Sequence, residues 1–216
     1  MFLAPAWDVF TGAAWDAALN SVDGFSLGWH PWWWRLRAAA ARQYLFDPPA
    51  RVVLREAPAL GYPDGQCTYG ETPAVSLISM LRRLNVGSDD VLFDLGCGRG
   101  LSLMAACLAL KIRGVGIDAV PTLVSRGRRI ARDVGVDVTF VEGDFLDQDL
   151  SAGTIFYAAS TAFNSDVMRR LTEKLDRPGL RVITLDGPLG APFRVLESLR
   201  YPMFWGWSTC WLQSRD

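Results

Sequence analysis

From about residue 72 onward, short apolar segments alternate with amphipathic segments of helical spacing. The predicted strands are 91–95, 114–117, 138–141, 154–158 and 180–185. The predicted helices are 73–84, 101–111, 121–134 and 166–175. Because apolar strands that alternate with amphipathic helices form a parallel sheet covered on both faces, this pattern predicts an α/β fold.

The two ends of the chain differ from this alternating region. At the C-terminus, two further strands are predicted at 195–201 and 204–212, and the second carries Trp205, Trp207, Thr209 and Trp211 on one side. Before residue 50 the chain is rich in tryptophan. It predicts a helix around 7–18, a turn at 21–24, and a helix over 31–46 that stops at the prolines 48 and 49. We therefore divide the chain into a helical extension, residues 1–49, and a main domain, residues 50–216.

Composition and charge restrict the kinds of partner. The chain has 22 basic and 23 acidic residues, so we do not expect a surface that binds nucleic acid. No apolar stretch approaches the ~18–20 residues of a transmembrane helix, and no secretory signal is visible, so the cytoplasm is the expected location. The four cysteines form no C-x-x-C pair and His30 is the one histidine, so no metal site or disulfide framework is expected. Arginine far outnumbers lysine, which favours a bacterial source with a GC-rich genome.

A glycine-rich turn follows the strand at 91–95. It contains Gly96, Gly98 and Gly100, which let the backbone turn sharply and let a ligand approach the carboxyl end of a parallel strand. The spacing differs from the dinucleotide pattern G-x-G-x-x-G, and Asp94, two residues before the first glycine, would repel a pyrophosphate. That carboxylate suits the ammonium and sulfonium groups of S-adenosylmethionine, which is therefore the predicted cofactor.

Acidic residues also follow the next two predicted strands. Asp118 is placed to accept hydrogen bonds from the ribose hydroxyls of such a cofactor, and Asp144 from its adenine amino group. Phe145, directly after Asp144, is placed to cover the adenine ring. Three acids after three consecutive strands favour one shared site over three unrelated solvated turns.

Beyond these features, the chain resembles a known family of enzymes. The tetrapeptide Tyr69-Gly70-Glu71-Thr72 and segments 88–96, 142–146 and 178–183 are similar to the methyltransferase core of the disruptor-of-telomeric-silencing histone lysine methyltransferases. The similarity covers roughly residues 66–195 and extends to small archaeal protein lysine methyltransferases and to ATP synthase c-subunit lysine methyltransferases.

This resemblance implies a class I, Rossmann-like methyltransferase fold, with a mostly parallel seven-stranded sheet and an antiparallel C-terminal strand. It also implies that Tyr69 and Thr72 join the cofactor site, with Glu71 near the methionine end. The histone enzymes place an asparagine pair near the transferred methyl. Here Ser160 is the nearest positional match and Asn164 is a displaced amide, so Tyr69, Ser160 and Asn164 are the catalytic candidates.

The methyl acceptor is open to several interpretations. The leading hypothesis is N-methylation of a protein lysine, although the chain lacks the lysine-rich tail expected for a nucleosome substrate. One alternative is a small-molecule methyltransferase with residues 1–46 as a lid, in which a hydroxyl acceptor would need His30 as base. Another is a catalytically silent binding module. The segment 29–37 is interpreted as a packed helix, a lid or a peripheral membrane contact.

Overall fold

The computed structural model describes residues 6–62 and 69–216, with the side chains of its first helix described from residue 14. The strands of this part are β1 Val91–Leu95, β2 Arg113–Asp118, β3 Val138–Glu142, β4 Ile155–Ala158, β5 Leu180–Leu185, β6 Arg194–Met203 and β7 Gly206–Arg215. The α-helices are α1 Ala6–Leu27, α2 Pro31–Tyr44, α3 Pro49–Glu56, α4 Ala74–Arg83, α5 Leu101–Leu110, α6 Pro121–Val134 and α7 Ser165–Lys174.

All the strands belong to one sheet with the order β3-β2-β1-β4-β5-β7-β6. The pairs among β1 to β5 are parallel, whereas β7 is antiparallel to both β5 and β6. Six strands therefore point the same way and β7 points against them. The predicted fold class, a mostly parallel seven-stranded sheet with an antiparallel C-terminal strand, is confirmed.

The register of the sheet brings the ends of the central strands together. Leu95, the last residue of β1, pairs with Ile117 of β2 and with Ala158 of β4. Asp118 pairs with Glu142, the last residue of β3. The segments that follow these four strands consequently meet at one edge of the sheet, which is where parallel α/β sheets bind their ligands.

Two apolar layers cover the sheet. On one face, helices α2, α4, α5 and α6 bury side chains such as Leu36, Leu77 and Val124. On the other face, α7 buries Leu171 against Phe156 and its neighbours. Both faces of the sheet are thus shielded from solvent, as the near-continuous apolar character of the predicted strands requires.

The predicted turn at 21–24 is wrong, because α1 continues through it to Leu27. Asp23 instead serves a tertiary contact, since its carboxylate accepts hydrogen bonds from the backbone N–H groups of Ala74 (3.1 Å) and Val75 (2.9 Å). These groups lack partners within α4, so Asp23 caps that helix from a distance.

The end of the second helix also differs from the prediction. Helix α2 ends at Tyr44, and the prolines that were expected to stop it begin a further helix, α3. Proline fits the first turn of a helix because its missing N–H would have no partner there. Among the described residues, no helix is long and apolar enough to cross a membrane.

Candidate active site

The turn after β1 has the left-handed backbone conformation that its glycines allow. Gly96, Gly98 and Gly100 have φ values of +83°, +57° and +67°, which favour glycine. A Cβ at Gly100 would lie 2.4 Å from Cζ of Phe140, so this position also lacks space for a side chain. The N–H groups of Gly96 and Cys97 donate to the carbonyl of Ile117 at 2.8 and 3.0 Å, which ties the turn to β2.

Asp118, at the end of β2, supports the same turn. Its Oδ2 accepts a hydrogen bond from the Gly98 N–H at 2.7 Å, and its Oδ1 accepts one from the Val120 N–H at 2.9 Å. Burial raises the pKa of this carboxyl, and the two backbone hydrogen bonds oppose that rise. Each oxygen keeps a further lone pair, so the group remains able to accept bonds from a ligand.

Asp94 is buried beside the glycine turn. Desolvation by burial, together with the nearby charge of Asp118, raises its pKa to about 8. At neutral pH this carboxyl therefore holds a proton in the protein alone. A cation bound next to it would favour the charged form.

Asp144 and Phe145 lie in the loop after β3. Oδ1 of Asp144 accepts a hydrogen bond from the Leu146 N–H at 2.8 Å, which orients the carboxylate. The ring of Phe145 stacks on Phe163 with 5.3 Å between centroids. This loop and the segment after β4 thus meet across the same opening.

A cavity of about 380 Å³ opens at this edge of the sheet. It is lined by five of the predicted site residues: Tyr69, Gly96, Asp118, Asp144 and Phe145. A smaller adjoining recess contains the others that were predicted to bind the cofactor: Thr72, Asp94, Gly98 and Gly100, with Tyr69 and Gly96 shared. The structure therefore brings every predicted cofactor residue to one continuous opening.

The loop Tyr69–Thr72 closes one side of the opening. The Tyr69 hydroxyl donates to Oε1 of Glu71, and Arg99 pairs with both oxygens of that carboxylate, with 2.8 Å between Nη2 and Oε2. Thr72 shares a hydrogen bond with the Tyr157 hydroxyl, and its carbonyl accepts one from Ser102. The loop is thus bonded to β4 and to the glycine turn.

Trp205, in the turn between β6 and β7, lies directly on this loop. A Cβ at Gly70 would come within 2.6 Å of Cε3 of Trp205, so only glycine allows this contact. The Phe204 N–H also donates to the Glu71 carbonyl at 3.3 Å. Trp205 therefore reaches the cavity wall from the far end of the chain.

The N-terminal helices reach the same loop through Tyr44. The guanidinium carbons of Arg99 and Arg126 lie 5.5 and 5.0 Å from the centroid of its buried ring. Its hydroxyl is buried and has no hydrogen-bond partner among the described residues. Arg99 thereby connects Tyr44 to Glu71, a link that sequence reasoning missed because it joins residues far apart in the chain.

Comparison with known proteins agrees with this geometry. A family described as "Methyltransferase domain" matches residues 92–178. A protein-lysine N-methyltransferase of Saccharolobus islandicus (strain REY15A) is 26% identical over 119 residues, covering 54% of this chain and 74% of that protein. A histone-lysine N-methyltransferase of Caenorhabditis elegans, specific for H3 lysine-79, is 32% identical over 136 residues, covering 54% of this chain but only 14% of the worm protein.

A solved structure has the same fold as this chain. The RNA methyltransferase from Salinibacter ruber, in complex with S-adenosyl-L-homocysteine, has a TM-score of 0.57 and 28% identity, and covers 68% of this chain and 95% of that chain. The chain is a class I S-adenosylmethionine-dependent methyltransferase. The names of these relatives specify different acceptors, lysine in two of them and RNA in the third.

The opening in this methyltransferase fits its cofactor. Asp94 and Asp118 form no ion pair with any cationic side chain among residues 14–62 and 69–216, so both carboxyls are available to a cationic or hydroxyl-bearing ligand. A Cβ added at Gly96 would meet no other atom within 4 Å, which leaves open space beside the turn.

Two catalytic candidates of the methyltransferase lie away from the cavity wall. The Ser160 hydroxyl is buried, donates to the Leu185 carbonyl at 2.7 Å and accepts from the Leu185 N–H at 3.1 Å. Asn164 caps α7, since its Oδ1 accepts from the Val167 N–H at 2.9 Å. Neither residue lines the cavity, whereas the neighbouring Thr161 does.

His30 is likewise not part of the opening. Its exposed ring stacks on Trp32 with 5.4 Å between centroids, and it does not line the cavity or the recess.

Asp186 accepts hydrogen bonds from Thr209 N–H (3.0 Å) and from the Thr161 hydroxyl (2.8 Å). Asp186 thereby positions the segment after β4 rather than facing the cavity.

Proposed function

We propose that this methyltransferase transfers a methyl group from S-adenosylmethionine to the side-chain amine of a lysine in a protein. The observation that carries the proposal is the composition of the cavity wall formed by the segment after β4 and by Trp205. That wall contains Ala159, Thr161, Ala162, Phe163 and Trp205, none of which has an acidic or basic side chain. A hydroxyl acceptor requires a general base, whereas an amine requires only the loss of its own proton.

In this proposal, different residues of the opening bind different parts of the cofactor. Asp118 accepts from the ribose hydroxyls, Asp144 from the adenine amino group, and Phe145 covers the adenine ring. Asp94, Tyr69 and Thr72 surround the methionine end, where the charge on Asp94 complements the ammonium. When bound, the cofactor supplies an electrophilic methyl group.

The chain's own contribution is to position the acceptor and exclude water. Tyr69, Phe163 and Trp205 form an apolar entrance in which desolvation lowers the pKa of a lysine from its usual ~10.4. Rate then comes mainly from holding the reacting groups in line. Tyr69 itself does not act as a base, because burial and the adjacent Glu71 raise its pKa well above its usual range.

The lysine acceptor is supported by the two relatives whose names specify lysine, although the worm protein is matched over a small part of its length. Methylation of RNA is the second candidate, because the Salinibacter ruber RNA methyltransferase is 28% identical. A small-molecule acceptor and a silent module stay as further predictions from the sequence, as does a cytoplasmic location.

The deciding experiment uses a lysate of a strain that lacks the gene, radiolabelled cofactor and the purified chain. We expect label in protein that survives nuclease and alkali and appears as methyllysine after acid hydrolysis. Asp118→Ala, in which cofactor binding should be weakened, serves as the control and should transfer less label. Label that nuclease releases would replace lysine with RNA as acceptor, and label in the solvent-extractable fraction would replace it with a small molecule. Cofactor binding without any transfer would favour the silent module.

The pH dependence separates an amine from a hydroxyl acceptor. With an amine, the single-turnover rate should rise through the alkaline range, because the neutral fraction grows about tenfold per pH unit below the acceptor pKa. His30→Ala should leave this profile unchanged. A plateau near neutrality that His30→Ala lowers by ~10²-fold or more would show that the acceptor is a hydroxyl.

A further inference from the structure

The outward face of α2 is apolar and basic without any acidic residue. Successive residues of an α-helix are ~100° apart, so Trp34, Ala41 and Leu45 project within about 40° of one another. All of them are exposed, and Arg35 and Arg42 lie exposed beside them. Helix α2 contains no aspartate or glutamate, whereas a helix face in water is ordinarily polar.

Exposed aromatic side chains also flank this face in the sequence, close to the turn between α1 and α2 and just beyond the end of α2. Trp34 Nε1 donates to the Gly28 carbonyl at 2.9 Å, which holds its indole against that turn. Nearby, Phe25 and Trp29 are 79% and 82% exposed, and Phe46 after α2 is 86% exposed. We call this surface the aromatic–arginine face; it consists of Phe25, Trp29, Trp34, Arg35, Arg42, Leu45 and Phe46.

The two arginines of this face are not neutralised by the part of the chain that the structure describes. Neither Arg35 nor Arg42 forms an ion pair there. The nearest acid along the chain, Asp47, is already paired with Arg55 and Arg126 at 3.1 and 2.7 Å. The face therefore presents uncompensated positive charge among exposed aromatic rings.

We propose that the aromatic–arginine face docks on the surface of a membrane that contains anionic lipids. Tryptophan and phenylalanine partition into the interfacial zone of a bilayer, and arginine binds the phosphate groups above it. A second copy of the chain fits less well, since two such faces would bring four arginines together without an acid. The contact is peripheral, because no described helix is able to span a bilayer.

Helix α1, which carries Phe25, also contacts the turn that contributes to the cavity wall. Trp15 Nε1 of α1 donates to the carbonyl of Met203 at 2.7 Å, at the start of the turn that carries Trp205. Because Trp205 lines the cavity, α1 is bonded to the same turn that contributes to the cavity wall. The proposal concerns binding alone and stands whichever acceptor the enzyme methylates.

The test is sedimentation of the full chain with vesicles of phosphatidylcholine alone or with about 30% phosphatidylglycerol. We expect binding to the anionic vesicles that the double variant Arg35→Glu/Arg42→Glu weakens at least about tenfold, and that Phe25→Ser/Trp29→Ser also weakens. Arg170→Glu on α7 and Leu196→Ser on β6 are matched exposed controls and should bind like the wild type.

Circular dichroism and cofactor affinity of each variant check that the fold is intact. The proposal is overturned if the wild type does not sediment with anionic vesicles, or if it binds equally after both double substitutions. It is also overturned if light scattering shows a dimer in solution that the same substitutions dissociate, because a second copy would then cover the face.

Discussion

Three acidic side chains follow three neighbouring strands, and each has a different environment. Asp94 is buried with a pKa raised to about 8, Asp118 is half-buried and accepts two backbone hydrogen bonds, and Asp144 lies half-exposed in a loop. They look equivalent in the sequence. Their surroundings give them the separate roles that we propose at the two ends of the cofactor.

Asp118→Asn should weaken binding of S-adenosylmethionine by ~1–3 kcal/mol, because two ligand hydroxyls would lose a charged acceptor. Isothermal titration calorimetry measures this change directly. Asp147→Asn, an exposed acid three residues beyond Asp144, is the control and should bind like the wild type. Equal affinities for all three proteins would remove Asp118 from the site.

Asp94 should make the stability of the cofactor-free protein depend on pH. Its pKa is about 8 in the folded state and near ~3.9 in the unfolded chain, so the folded protein holds more protons between these values. The stabilising contribution is complete below the lower value and is lost as pH rises towards about 8.

Urea unfolding of wild type and Asp94→Asn at pH 5 and pH 8 tests this sign. The free energy of unfolding of the wild type should fall with pH by at most ~1.4 kcal/mol per unit more steeply than that of the variant. Parallel profiles would mean that Asp94 ionises normally.

At the scale of elements, the site depends on contacts between segments that are distant in the chain. Tyr44 of α2 contacts Arg99, Arg99 pairs with Glu71, and Glu71 accepts from Tyr69. Trp205 contacts Gly70 from the other side of the loop. The loop Tyr69–Thr72 is therefore held between the N-terminal helices and the C-terminal hairpin.

Tyr44→Leu should lower cofactor affinity several-fold, because the ring that contacts Arg99 is lost and each such cation–π contact contributes about 0.5–2 kcal/mol. Tyr44→Phe is the matched control. It keeps the ring and removes only a buried hydroxyl without a partner among the described residues, so its affinity should equal or exceed that of the wild type. Titration calorimetry and thermal melting compare the variants. If Tyr44→Leu binds as the wild type does, α2 does not support the loop.

At the scale of the whole molecule, the N-terminal helices contribute to the main core. Leu27 and Trp33 are buried in the same apolar cluster as Leu77 and Leu103 of α4 and α5. The division at residue 49 thus separates segments whose side chains share one interior. We infer that residues 14–49 are needed for the stability of the whole fold.

Trp33→Ala should lower the free energy of unfolding by ~3–5 kcal/mol, because it leaves a cavity in the core. The neighbouring Trp34→Ala should lower it by less than ~1 kcal/mol. The Trp33 and Trp34 side chains are 2% and 58% exposed. The pair therefore distinguishes the loss of a buried tryptophan from the loss of an exposed one. Chemical denaturation measures both. Similar losses for the two variants would show that the α2 face, rather than the core contact, stabilises the extension.

Most of the central sheet could be predicted from the sequence, because its strands and helices follow local patterns of apolar residues. Strand β1, strand β5 and helix α6 begin and end at the predicted residues. The glycine turn was equally predictable, since Gly96 and Gly98 have positive φ values that other residues rarely adopt. These features depend on residues that are close together in the chain.

The tertiary structure decided the contacts between distant residues. Asp23 lies in a sequence that is typical of a turn, but capping α4 keeps it in a helix. Ser160 and Asn164 matched a catalytic pattern by position, yet their hydrogen bonds to Leu185 and Val167 keep them off the cavity wall. Such bonds depend on which segments meet in space. The sequence by itself therefore determined the fold and the cofactor, because both follow local rules, whereas the wall that faces the acceptor was decided only by how the loop after β4, the C-terminal hairpin and the N-terminal helices pack together.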